Sequence, residues 1–292
     1  MTSVSMTNER LAGVTGMPRD VLPIFATPPV AEAILSVQFD RLTDFSAAHA
    51  GWFWKDYLPH AWSNATVKTA PYLEDQREKF GSDRVWIPPF GAIIRPHAEP
   101  DRTQIARLDA DRMIQLQSTR FIYNWRKGNG PYPTFKIIRD EFWPLFRDFC
   151  KFSDEASLGK IQPNQWEVTY VNFIPKGDLW DTPSDWKRIL PGLWTPPVAG
   201  SIRIDLEDCG GEWRFAIEGS RGRLHANLKL ARVNPEGPDI LALQLTARGP
   251  ASPADSELSI EVGFDIGHRA IVGSFAAMTS DEAQRYWGRS DI

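Results

Sequence analysis

The sequence lacks the features that mark secreted and membrane proteins. Its 292 residues include only two cysteines, Cys150 and Cys209, which are too few for a secreted disulfide framework. The longest apolar runs are only a few residues, whereas a membrane-spanning helix needs about 20. No secretory signal peptide is recognised at the start of the sequence. We therefore expect a cytoplasmic protein without membrane insertion.

Motifs of the common enzyme classes are also missing. The glycines do not form GxxxxGK[ST], and no GxGxxG opens a helix after a strand. GxSxG, HExxH and CxxC do not occur, so the usual hydrolase and zinc-site patterns are not available. The five histidines are scattered along the chain, which predicts no metal site. We expect no cofactor and no recognisable catalytic motif.

What the sequence does contain is typical of a large packed core. Hydrophobic residues make up 42% and charged residues 24%, and there are twelve tryptophans. This length suits one large domain or two smaller ones. The net charge of −4 gives no general attraction to nucleic acid.

The apolar periodicity predicts that the order strand, helix, several strands, helix occurs twice. In the first half, strands are predicted at 30–39, 84–95, 104–108 and 113–125, and helices at 44–57 and 134–152. In the second half, strands are predicted at 165–174, 201–207, 212–218, 223–230 and 240–247, and helices at 184–190, 259–278 and 281–286. We expect an α+β fold of two related halves, each an antiparallel sheet with helices on one face. The predicted boundaries are a flexible tail at 1–20, an N-terminal half at 21–155 and a C-terminal half at 156–292.

The richest local pattern is MIQLQSTRFIYNWRKGNGPY, residues 113–132, in which polar, basic and aromatic residues alternate. Taken as one strand, it would place Gln115 and Gln117 on one face and Arg120 and Asn124 on the other. The surrounding residues 102–139 carry eight lysines and arginines against two acids. With Trp125 and Tyr132 nearby, the pattern predicts either a stacking and phosphate-binding surface or a solvated structural face.

A second polar group follows on the predicted strand QWEVTYVNFIP, residues 165–175. If the two halves pack through their polar strands, Glu167 can pair with Arg120 or Arg126. Such a pair either fixes the two halves together or binds a ligand.

The halves also differ in charge. Residues 1–150 carry 18 basic and 17 acidic groups, and residues 151–292 carry 15 and 20. This charge asymmetry would suit head-to-tail homo-oligomers or a basic partner bound to the second half. It is equally compatible with no functional role.

Several sequence blocks together resemble a sporadically distributed family of bacterial and archaeal proteins of about this length. The blocks are PPVAEAILSVQF, HAGWFWKDYLPHAW, APYLEDQREKF, MIQLQSTRFIYNWRKGNGPYPTF, QWEVTYVNFIP and HRAIVGSFAAMTSDEAQRYWGR. The resemblance covers nearly all of the chain after residue 20. It implies no established catalytic residues, and a patchy distribution suggests carriage on defence-associated loci.

Three functions follow from these patterns. The first is a binding protein, in a prokaryotic defence or toxin–antitoxin-like system, that holds a protein partner through one surface formed by Gln115, Gln117, Arg120, Asn124, Trp125, Arg126 and Tyr132. The second is an enzyme or sensor for a nucleotide or other anionic small molecule bound between the halves. There Arg120 and Arg126 would hold the anion and Glu167 would act as a base. The third is binding of RNA or single-stranded DNA.

Overall fold

The residues that the structure describes form a single nine-stranded sheet. The computed structural model describes residues 22–74, 77–78, 102–109, 111–128, 130–191, 210–233, 236–252 and 256–289. The strands are β1 (Val30–Phe39), β2 (Thr66–Ala70), β3 (Arg102–Ala106), β4 (Arg112–Gln117), β5 (Arg120–Arg126), β6 (Pro163–Pro175), β7 (Gly210–Ile217), β8 (Gly222–Arg232) and β9 (Asp239–Pro250). Their order in the sheet is β2-β3-β4-β5-β1-β6-β9-β8-β7, and every neighbouring pair is antiparallel.

Helices complete the structure, so the expected α+β class is confirmed. They are α1 (Ala47–Asp56), α2 (Phe135–Glu155), α3 (Trp186–Ile189), α4 (Ser256–Met278) and α5 (Asp281–Tyr286), with short 3-10 turns at His60–Trp62, Pro183–Asp185 and Glu218–Ser220. In the ranges given above, none of the helices combines the length and the apolar character that crossing a membrane requires.

The centre of the sheet is the pairing of β1 with β6. Leu35 lies opposite Val168 on the face that carries the helices, and Ser36 lies opposite Glu167 on the other face. Because side chains alternate along a strand, this register separates an apolar face from a polar one. The sheet also runs without a break across the predicted boundary between residues 155 and 156.

Aromatic side chains fill the space between the sheet and the helices. Helix α2 begins after Thr134, whose hydroxyl accepts a hydrogen bond from the Ile137 amide. Its apolar residues recur at helical spacing, so that Phe142, Phe146 and Phe149 all contact Phe121 of β5, with ring centroids 5.4–5.7 Å apart. Pro144 lies inside this helix without ending it.

The expectation of one strand over residues 113–125 is wrong. Strand β4 ends at Gln117, β5 begins at Arg120, and the two pair as a hairpin. The turn residues are Ser118 and Thr119, and neither is the glycine or asparagine that usually marks a two-residue hairpin turn. The carbonyls of Ser118 and Thr119 accept hydrogen bonds from the Leu42 and Phe39 amides, so residues outside the hairpin stabilise this turn. The turn brings Gln117 and Arg120 to the same face.

The remaining predicted elements agree with the structure where it describes them. Strand β1 and helix α5 have the predicted bounds, and most other described elements differ from their predictions by a few residues at their ends. Strand β2 was not predicted. The predicted strands at 84–95 and 201–207, and the predicted tail at 1–20, lie outside the described residues.

Trp166 of β6 lies in a slot formed by glycines. Two of them, Gly263 and Gly267, belong to α4, and a Cβ added at Gly263 would lie 2.5 Å from the Trp166 Nε1 atom. A Cβ at Gly267 would lie 3.0 Å from the same ring. The two glycines let α4 approach the sheet closely enough to cover the ring.

We expect Gly263→Ala to destabilise the protein by about 1–3 kcal/mol, since the new methyl group must displace Trp166 or the helix. Gly273→Ala in the same helix is the matched control, because a Cβ there meets no atom within 4 Å. Alanine at that position should stabilise by up to about 1 kcal/mol through helix propensity. Urea unfolding followed by tryptophan fluorescence measures both, and equal stability of the two variants would contradict the slot.

Candidate functional site

The face of the sheet without helices, called the open face below, is polar across its centre. The hairpin between β4 and β5 and the register of β1, β6 and β9 align polar residues strand by strand. Two rows cross the middle strands, Gln117–Arg120–Gln38–Gln165 and Gln115–Ile122–Ser36–Glu167–Arg248. Most of these side chains are buried, so their hydrogen-bonding groups need partners other than bulk water.

The eight residues predicted as a site fall into three groups. The open face carries Gln115, Gln117, Arg120, Asn124 and Glu167. The other three residues are elsewhere, as described next.

Trp125 and Tyr132 lie on the helix side, with Trp125 only 3% exposed and its ring 5.2 Å from that of Tyr132. Arg126 is exposed at the end of β5. The expectation that all seven partner-binding residues share one surface is therefore wrong. The physical reason is strand alternation, since Trp125 and Asn124 are consecutive residues of one strand.

The predicted contact between Glu167 and Arg120 is present, whereas Arg126 is not part of it. Arg120 Nη1 lies 3.9 Å from Glu167 Oε2, and Arg248 Nη1 approaches the same oxygen at 3.5 Å. Both distances are long for charge-assisted hydrogen bonds. Glu167 therefore stands between two arginines from opposite sides of the central strand pair.

A chain of side-chain hydrogen bonds orders the amides beside this pair. Gln104 donates to Gln115 at 2.9 Å, Gln115 donates to Asn124 at 2.8 Å, and Asn124 donates to the Glu32 carboxylate at 2.8 Å. The carboxylate at the end fixes the direction of the chain, because it accepts when ionised. Burial raises the pKa of Glu32, although the Asn124 hydrogen bond and the charge of Arg126 oppose the effect.

Residues 72–74 and 77–78, called the crossing segment below, run over the open face. The Leu73 amide donates to Gln117 Oε1, and Gln117 Nε2 donates back to the Leu73 carbonyl. The Glu74 carbonyl accepts from Arg120 Nη2 at 3.1 Å. At the other end, the Glu78 amide donates to Gln165 Oε1 at 3.0 Å. The segment thereby supplies backbone partners to polar side chains of the sheet.

Glu78 is the most heavily paired carboxylate of the open face. Its side chain is 6% exposed and contacts Arg223, while Arg248 Nε and His225 Nε2 each lie 2.6 Å from Oε1. Burial alone would raise the pKa of Glu78, but the hydrogen bonds and charges of Arg248 and His225 outweigh it and lower that pKa. For His225, burial and the charge of Arg248 lower the pKa despite Glu78. The carboxylate thus places one negative charge among the two arginines and the histidine of β8 and β9.

A cavity of about 460 Å³ opens on this face and spans the seam between β1 and β6. Its charged lining groups come from both sides of the seam and are Arg102, Arg120, Arg214, Arg248, His225, Glu74, Glu167 and Glu212. Neutral polar lining is supplied by Gln115, Asn227, Gln244, Thr169 and Thr246, and the hydroxyls of the two threonines lie 2.9 Å apart. Guanidinium, amide and hydroxyl groups around one space can recognise a polar, anionic molecule.

The arginines at the β3–β5 end of the cavity are less well compensated. Arg120 is 4% exposed, and its Nε lies buried without a hydrogen-bond acceptor among the described residues. Within the same residues, the buried Nε of Arg102 also has no acceptor. Burial lowers the pKa of Arg102, and the positive charge of Arg120 lowers it further.

A separate, largely apolar cavity of about 250 Å³ lies on the helix side, where Tyr132 and His268 are among its lining residues. The Tyr132 and Tyr170 hydroxyls are 2.8 Å apart, and Tyr170 lies 2.9 Å from His268 Nδ1. The His268 ring stacks on Phe135 with a centroid distance of 4.0 Å. Burial, with a smaller effect of the Arg139 charge, lowers the pKa of His268 to about 4. Tyr132 is therefore part of a neutral, internal network.

Sequence reasoning missed the residues that complete the site. Arg102 entered only a charge count, and Glu78, His225 and Arg248 were not considered as site residues. A usable signal existed in the second half, since Arg223, His225 and Asn227 alternate along a predicted strand that faces polar residues of β9. For Glu78 no local signal existed, because it reaches its partners 145 to 170 residues away.

The chain matches no known family model, and no curated protein is significantly similar to it. The resemblance to the sporadically distributed prokaryotic family stays a prediction. The geometry of the cavity must carry the functional argument.

We expect Glu78→Gln to destabilise the protein by about 3 kcal/mol, because it leaves a buried basic cluster without its carboxylate. The wild type should also lose stability as the pH falls below about 4.5, the ordinary pKa of the group, because the folded pKa of Glu78 is lower. Glu282→Gln is the control, as Glu282 and its partner Arg188 are both more than half exposed. That exposed pair should contribute at most about 1 kcal/mol. Urea unfolding at pH 7 gives the comparison, and similar losses in both variants would refute the role of Glu78.

His268 should make the fold sensitive to mild acid. Its pKa is about 4 in the folded protein and 6.5 ordinarily, so the unfolded chain binds a proton that the native state does not. Stability should fall by about 2 kcal/mol between pH 7 and pH 5 from this group. His268→Gln should remove that part of the slope, whereas His60→Gln, at an exposed position, should retain it. Unfolding free energies at both pH values test this, and an unchanged slope in His268→Gln would contradict it.

Proposed function

We propose that the protein binds a small anionic molecule in the open-face cavity and acts as a sensor or an enzyme for it. The observation that carries this proposal is the convergence of four arginines on one cavity of about 460 Å³. Small-molecule sites typically measure about 300–1,000 Å³ and use a few well-placed polar groups. Burying so many polar side chains costs stability, and a ligand would offset that cost.

Binding of a protein partner through one polar and aromatic surface has less support. Of its two predicted aromatic residues, Trp125 is covered by the helix layer, and Tyr132 is bonded to Tyr170 on the helix side of the sheet. Binding of RNA or single-stranded DNA meets the same difficulty. The aromatic residues of β5 that would stack on bases, Phe121, Tyr123 and Trp125, all lie in the core.

A sensor of this kind would still fit a prokaryotic defence or toxin–antitoxin-like system, which is the setting that the sequence resemblance implies. We propose the cytoplasm as its location. A structural role for Cys150 is consistent with this location. Burial raises the pKa of its free thiol to about 12 and makes the thiol unreactive.

We also propose that the two halves, residues 21–155 and 156–292, are related by internal duplication. Each half consists of a strand, a helix, further antiparallel strands and a long helix. The first strands, β1 and β6, pair at the seam, and the last strands, β5 and β9, flank them on either side. In this arrangement the cavity draws residues from both halves, and the ligand would bind across the seam.

The proposal predicts that gently purified protein releases a small molecule on denaturation, identifiable by mass spectrometry. Gln244→Trp should reduce its binding at least tenfold, because an indole at this exposed lining position would occupy part of the cavity. Lys229→Trp is the matched control. Lys229 lies in β8 and is exposed on the same face of the sheet as Gln244, but it does not line the cavity. Equal binding by the two variants, or recovery of protein or nucleic acid alone, would overturn the proposal.

A further inference from the structure

The two basic ends of the cavity differ in their counter-charges. At the β8–β9 end, Arg223, His225 and Arg248 surround the Glu78 carboxylate of the crossing segment. The protein's own acid therefore occupies the position that a ligand anion would take there. Displacing it would expose a buried ionic cluster, which is costly.

Among the described residues, no carboxylate lies as close to Arg102 or Arg120 as Glu78 lies to Arg248. The hydrogen bonds of Arg120 go to neutral oxygens, the Gln38 amide at 2.8 Å and the Glu74 carbonyl at 3.1 Å. Glu167 approaches Arg120 at 3.9 Å and also lies 3.5 Å from Arg248, and Glu74 is a further acid of the cavity lining. Hydrogen bonds to neutral groups orient a guanidinium but do not cancel its charge.

Arg102 adds a second positive charge beside Arg120. Both residues line the cavity, and in both the Nε atom is buried without an acceptor among the residues that the structure describes. A buried donor without an acceptor costs about 1–3 kcal/mol, and more when the group is charged. Like charges brought together add to this cost, which an anion placed between them would remove.

We propose that Arg102 and Arg120 form the subsite for the acidic group of the ligand, an oxyanion of the phosphate or carboxylate type. The inference rests on the proposed function and assigns the ligand's orientation within the same cavity. The acidic group lies between the two guanidinium groups at the β3–β5 end, both of which line the cavity. The neutral remainder points across the seam towards Gln115, Thr169 and Thr246, whose amide and hydroxyl groups suit hydroxyl-bearing or amide-bearing chemistry.

Titration calorimetry at fixed ionic strength tests the subsite with inorganic phosphate, acetate and neutral ribose. We expect saturable binding of at least one oxyanion at millimolar concentrations and none of ribose. Phosphate stronger than acetate would assign a phosphoryl group, and the reverse order a carboxylate. Arg102→Gln should weaken binding of the preferred anion at least tenfold.

Arg232→Gln is the matched control, because it removes an exposed guanidinium that does not line the cavity. Its loss should change the affinity less than threefold. Arg102→Lys keeps the charge without the planar guanidinium, so it should bind more weakly than the wild type and better than Arg102→Gln. Circular dichroism and urea unfolding verify that each variant folds. If Arg102→Gln does not fold, the comparison of Arg102→Lys with Arg232→Gln decides.

The outcomes separate the subsite from the proposed function. Equal weakening by Arg102→Gln and Arg232→Gln would show that only the overall charge matters and would overturn the subsite, while a small molecule in the cavity would remain. A neutral molecule released from the purified protein, or no binding of either oxyanion, would also overturn it. Failure of Gln244→Trp to affect the released molecule would instead overturn the cavity as the site.

Discussion

The pairing of β1 with β6 is the constraint on which the rest of the structure depends. It joins nine strands into one sheet and fixes which residues face the helices. A shift of one residue would place Ser36 and Gln38 in the aromatic core and Leu35 on the open face. The register therefore accounts both for the packing of α2 and α4 and for the polar surface opposite them.

A polar surface at the centre of a sheet must be satisfied from outside the sheet. The crossing segment does much of this, since its backbone bonds Gln117, Arg120 and Gln165, and Glu78 pairs with the β8–β9 cluster. The amide chain from Gln104 to Glu32 satisfies the outer strands within the sheet itself. Among the described residues, the Nε atoms of Arg102 and Arg120 have no acceptor, and both arginines line the cavity on this side.

Local periodicity was sufficient to predict most of the elements, because β1, α2, β6 and α4 each bury a regular apolar pattern. It failed at the β4–β5 hairpin, where Ser118 and Thr119 form a turn that hydrogen bonds from Phe39 and Leu42 stabilise. That single error assigned Gln117 and Arg120 to opposite faces. The contact between Arg120 and Glu167 could nevertheless be predicted, because both residues lie on strands with a clear apolar pattern. The role of Glu78 could not be predicted, because its irregular segment has no periodicity and its partners are distant in sequence.

Near the seam between β1 and β6, the buried titratable groups on the helix side of the sheet are neutral, whereas the open side carries charged groups. On the helix side, the buried groups Tyr132, Tyr170 and His268 are held neutral at pH 7, and the tyrosines and histidine bond to one another. On the open side, charged groups are kept ionised by opposite charges, as the lowered pKa of Glu78 illustrates. A neutral aromatic layer can supply stability through burial and packing alone. The stability that this layer supplies can offset the cost of an energetically unfavourable arginine pair on the opposite face. An anion that binds there would then make the favourable contacts with these arginines that the fold itself does not provide.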